Sequence, residues 1–167
     1  MLPRRSRSLL EKETEVKVAG LRPTDSRGRL SLHFASAVMT NLELIQRFET
    51  DDRPEESFHH VDHVHLAFAY LSQYAVLQAL EKFAAALKRY AAARGKSQLY
   101  HETITHAYFF LIRERMARLA AVDWDEFARH NPDLLVWKNG ILSRYYEEGT
   151  LQSDLARTVF LFPDKFC

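Results

Sequence analysis

"AVLQALEKFAAALKRYAAARG" occupies residues 75–95. Val76, Leu80, Phe83, Leu87 and Tyr90 step by four, three, four and three, which places all five on one side of a helix. The stretch is rich in alanine, and Gly95 supplies a C-terminal stop. Lys88, Arg89 and Arg94 suit the negative end of the helix dipole. A helix this clear in the middle of the chain sets the expectation for its neighbours.

The flanking segments have the same period. "MTNLELIQRFET" carries Leu42, Ile45 and Phe48, and "DDRPEES" with Pro54 breaks the pattern. The next helix is expected over residues 58–74, with a turn near Ser72–Tyr74. After Gly95, Ser97 is expected to cap "LYHETITHAYFFLIRERMARLAA". Asp123 opens "WDEFARH", with Glu126 completing a capping-box pattern, and Asn131-Pro132 ends it. "DLLVWKNGILSRYY" contains the hairpin dipeptide Asn139-Gly140, but its flanks do not alternate. Leu134, Trp137, Ile141, Leu142 and Tyr145 predict a helix kinked at Gly140 instead. A last helix is expected from Thr150 to Pro163. The fold class is therefore all-α: a compact bundle of about five to seven helices in one domain, 39–167.

Residues 1–38 read differently. They hold eight Lys/Arg against four acids, a net +4, whereas fifteen basic and eighteen acidic residues leave the remainder at −3. "LRPTDSRGRLS" is full of turn formers and has neither helical nor alternating period. This segment is expected to be a basic, disordered or non-native extension, with Met39 as a candidate natural start. "MLPRRSRSLL" has some transit-peptide character, but "EKETE" follows without a cleavage pattern.

The whole chain carries a net charge of only +1, so no global field recruits nucleic acid or an anionic membrane. "KRYAAARGK" is basic but lacks interleaved readout residues and is read as dipole compensation. No apolar run approaches the roughly 18–20 residues that span a bilayer. Cys167 stands alone, which excludes an internal disulfide and thiolate metal sites and makes the cytoplasm the expected compartment. "AYFFLIRERM" and "RTVFLF" are greasy enough to support a homodimer. There is no glycine-rich phosphate loop, nucleophile elbow or helix-turn-helix spacing.

Chemistry points to the histidines. "FHHVDHVH", residues 58–65, holds four of the chain's 8. Val61, Val64, Ala67, Phe68 and Leu71 define the apolar arc of that helix. His60 falls inside the arc and His63 at its edge, while Asp62 and His65 face away and His59 lies between. On the later helix His101 and Thr105 lie within the arc of Ile104, Tyr108, Leu111 and Ile112. Glu102 lies at its border and His106 outside it. Arg115 also falls inside and requires a carboxylate or several carbonyls. If the three helices run up, down, up, His60, His63 and His101 reach the same level of the bundle.

Three neutral imidazoles and an open position suit a catalytic divalent metal such as Zn, Fe, Ni, Cu or Mn. Glu102 is the expected general base or fourth ligand, and Tyr108 and Thr105 are expected to orient a substrate. "HETITH" has the wrong order for a zincin, and no second carboxylate-rich helix pair suggests a di-iron centre. Two other readings stand beside it: structural histidines satisfied by carbonyls in an interaction module, and a metal-free acid–base pocket pairing Glu102 with a histidine. The leading expectation is a small soluble helical protein whose metal-competent pocket acts on or senses a small molecule.

Overall fold

In the computed structural model, residues 39–50, 58–119 and 123–165 are described. The expectations for 1–38 and for the break at 51–57 lie outside them. Among the described residues seven α-helices follow in order: α1 (Asn41–Glu49), α2 (His60–Gln73), α3 (Val76–Ala93), α4 (Glu102–Leu119), α5 (Trp124–His130), α6 (Glu148–Gln152) and α7 (Asp154–Thr158). Short 3-10 turns lie at Ser97–Leu99, Pro132–Leu135 and Ile141–Arg144. The described residues form the expected all-α bundle.

Local chemistry fixes the ends. Thr40 and Glu43 form a reciprocal capping box on α1. Asp123 accepts from the Glu126 amide at 2.8 Å and starts α5. Gly95 adopts φ +65°, and the Lys96 amide reaches back to the Ala91 carbonyl at 2.8 Å. That bond is the signature of a Schellman stop, which a side chain at this φ would strain. The expected turn after α2 is present: Tyr74 is extended and separates α2 from α3.

α2 is the central helix, packed against α1, α3 and α4. A single apolar arc undercounts its burial. Leu66, Ala69 and Tyr70 are buried on the side that α1 covers with Leu44, Ile45 and Phe48, whereas Val61 is exposed. The Tyr70 hydroxyl donates to Glu49 at 2.8 Å across that seam.

The second half departs from a run of simple helices. The segment read as a helix kinked at Gly140 is two 3-10 turns around an irregular stretch in which Asn139 has φ +53°. Its carbonyls serve distant partners instead of the next turn: Leu134 accepts from His60, and Tyr145 from the amides of Asp164 and Lys165. The helix expected from Thr150 to Pro163 breaks as well. Thr150 lies inside α6, and Ser153 caps α7 through the Ala156 amide. Residues beyond α7 are extended, because fully buried Thr103 donates to the Val159 carbonyl at 2.8 Å and accepts from the Leu161 amide at 3.0 Å. Ser97 begins a 3-10 turn and does not cap α4; His101 does that.

Candidate functional site

A cavity of about 710 Å³ opens between α2, α3, α4 and the chain leading into α7. Buried Val64, Ala67, Phe83 and Ile112 supply its apolar floor. His60, His63, His101, Thr105 and Tyr108 all line it. The up-down-up path of α2, α3 and α4 thus brings His101 to the chamber that His60 and His63 line from α2.

They do not gather as ligands. Among the described residues no three His, Cys, Asp or Glu side chains are grouped to hold a metal ion. The reason lies in what each ring already does. His101 Nδ1 accepts from the Ile104 amide at 3.2 Å, so the imidazole is the N-terminal cap of α4, and its Nε2 lies 2.9 Å from the Leu151 carbonyl oxygen. Both nitrogens are engaged, in the tautomer protonated at Nε2. His60 Nε2 donates to the Leu134 carbonyl at 2.9 Å, and its ring meets Tyr108 edge-on at 4.8 Å. Burial lowers the pKa of both, each opposed by the bond to its carbonyl. These two histidines follow the structural reading.

His63 is different. Its ring lies 4.3 Å from Phe58, and among the described residues neither nitrogen makes a hydrogen bond. Burial, aided by neighbouring His60, depresses its pKa to about 4, so the ring is neutral at pH 7. The Tyr100 hydroxyl is buried at the same cavity, beside Glu102 and Thr105. Burial pushes the Tyr108 phenol up to about 12.

Glu102 is not where the sequence reading put it. It does not line the cavity but pairs with Lys88 at 3.1 Å and lies 3.5 Å from His106 Nε2. As the first helical residue after its cap, it turns toward α3 and not inward. His65, expected on the surface, stacks flat on Trp124 at 4.1 Å. Asp62 serves its helix start as expected, accepting from the His59 amide at 2.8 Å. Arg115 finds the carboxylate it required: it donates to Asp133 and to Asn131, each at 3.0 Å.

Of the rim and walls the sequence raised only Trp137, with Tyr145 and Tyr146, as a pocket residue, and it read Arg94 and Lys96 as dipole compensation. Phe58, Tyr90 and Trp137 are aromatic walls, and Arg94, Lys96 and Arg157 are cations. The Arg94 guanidinium lies 3.6 Å over the Tyr90 ring. Arg157 reaches from α7 to donate to the Gln98 carbonyl at 2.9 Å, and among the described residues it has no carboxylate partner. No aspartate or glutamate is among the described lining residues. Tyr90 had only the helical-stripe signal of a core residue, and Arg157 comes from a segment with no motif.

Gly140 adjoins this wall. A Cβ there would stand 2.4 Å from the Val136 carbonyl oxygen and 2.9 Å from the Tyr108 hydroxyl. The glycine is needed for close approach, since its backbone is in the ordinary extended region.

No family model, curated protein or solved structure matches this chain.

Proposed function

We propose that the chain binds a small organic anion with an apolar, ring-containing body. The observation that carries this reading is an apolar and aromatic cavity with Arg157 at its edge, a guanidinium that has no carboxylate partner among the described residues. Its volume lies in the range of sites for small molecules. A guanidinium beside a low-dielectric chamber favours an anionic group and matches a carboxylate in shape as well as charge. The aromatic walls suit stacking or edge contacts with a ring. His63 lines the chamber and offers a donor and an acceptor that the described residues do not use. A binding or sensing role rests on these features; they favour no particular reaction.

Calorimetric titration with hydrocinnamate and with hydrocinnamyl alcohol tests the reading. The acid is expected to bind about tenfold or more tightly than the alcohol, and Arg157→Gln to remove most of that difference. Trp137, 59% exposed at the cavity wall, gives a parallel fluorescence readout. Equal affinity for acid and alcohol, or binding of neither, overturns the reading.

A further inference from the structure

His101 joins two helices with one ring. Its Nδ1 accepts from the Ile104 amide at 3.2 Å and caps α4, and its Nε2 donates to the Leu151 carbonyl of α6 at 2.9 Å. The amide can only donate, so Nδ1 holds the lone pair and Nε2 the proton. A further proton has one place to go. It enters at Nδ1, where it meets the Ile104 N–H donor to donor, and the cap is lost. A rigid ring carries both bonds, so turning away from Ile104 also takes Nε2 off the Leu151 carbonyl unless α6 moves with it. Leu151 and Gln152 line the cavity, which makes α6 part of its wall.

The surroundings offer an imidazolium no relief. Arg157 of α7, held by the Gln98 carbonyl, opposes the proton through its own charge. From α2 the groups that share the cavity are His60 and His63, both with pKa values lowered by burial. On its own side Glu102 is paired with Lys88 of α3 at 3.1 Å, and burial raises the phenols of Tyr100 and Tyr108. Arg94 and Lys96, just past α3, are cations as well, and Glu148 of α6 accepts from Gln152 at 2.8 Å. His101 itself is only 7% exposed, so water does not replace a missing counter-charge.

We propose that His101 is a proton-operated latch on the cavity: a proton at Nδ1 breaks the cap of α4 and uncouples α6 from it, loosening the wall that Leu151 and Gln152 form. The neighbouring tie does not titrate, since Thr103 holds the Val159 carbonyl and the Leu161 amide through a hydroxyl. The chain after α7 therefore stays in place while α6 is released. Burial lowers the His101 pKa from its ordinary 6.5, the bond to Leu151 opposes this, and Arg157 adds to it. A latched ring that takes its proton less readily than a released one is favoured above pH 6.5 and loses that advantage as pH falls below it. The latch does not depend on what the cavity holds, so the anion-binding reading stands or falls separately.

Amide hydrogen exchange followed by NMR on the full chain, expressed as protection factors, tests the latch. In the wild type Ile104 and Leu151 are expected to lose protection by about threefold or more between about pH 7.5 and about pH 5.5, while Leu161, held by Thr103, keeps its own. His101→Asn retains a cap acceptor and cannot titrate, so its Ile104 protection is expected to stay level over the same range. Constant Ile104 protection in the wild type overturns the latch. So does a loss at Ile104 without one at Leu151, a loss shared equally by Leu161, which marks general unfolding, or a loss that persists in His101→Asn. The wild-type comparison of the three amides decides the matter even if the variant fails to fold.

Discussion

Arg115 and His63 are both polar residues pointed into a helical bundle, and the protein treats them in opposite ways. Arg115 is answered from two sides, by Asp133 and by Asn131, and Asn131 in turn donates to the Phe127 carbonyl at 2.9 Å. That network ties α4 to α5 and the turn after it. His63 lies against Phe58 with no hydrogen bond from the described residues, facing a chamber of about 710 Å³. Internal satisfaction marks a scaffold element, whereas an open donor and acceptor beside a cavity mark a place for another molecule.

The contrast can be broken most forcefully with pH. The His63 pKa is about 4 in the folded chain against an ordinary value of 6.5, so the unfolded chain binds more protons between these limits. Stability present above pH 6.5 is therefore lost as pH falls toward 4, and this one group contributes on the order of 3 kcal/mol of that loss. Urea unfolding across this window, with His63→Leu as control, is expected to show a flatter profile in the variant. A wild-type profile as flat as the variant's would remove His63 from the set of unmatched groups.

A smaller effect should appear at the satisfied site. Asn131, 1% exposed, holds two side-chain bonds, and Asn131→Ala is expected to cost about 2 kcal/mol in the same unfolding experiment. The variant should leave hydrocinnamate affinity unchanged, which separates scaffold from site. The smallest effect belongs to Asp133→Asn. Arg115 and Asp133 are 29% and 33% exposed, so solvent screens the pair and the loss is expected to be about 0.5 kcal/mol. A loss as large as that of Asn131→Ala would show that charge, and not the buried amide, holds α5 in place.

The sequence made the helical half of this molecule legible because α3 and α4 are long enough for their periods to show. It placed His60, His63 and His101 around one space because those positions follow from helix phase and a real turn at Tyr74. It could not say which nitrogens were already occupied. The carbonyls of Leu134 and Leu151 that engage His60 and His101 lie 74 and 50 residues away, in irregular segments whose backbone has no periodic signature. For the same reason the stretch from Leu134 to Tyr145 looked like a broken helix, although its carbonyls are turned to tertiary partners. Glu102 read as an inward acid because an assumed start at Ser97 placed it within the helix, whereas it follows the cap directly and pairs with Lys88.

Gly140 gives the cavity an unusual means of adjustment. The Tyr108 phenol rests against a backbone position that carries no side chain, so one added carbon there would have to move either the ring or the Val136–Trp137 backbone. Tyr108 and Trp137 both line the chamber, so a substitution at a residue outside the lining would reshape it by moving residues of its wall.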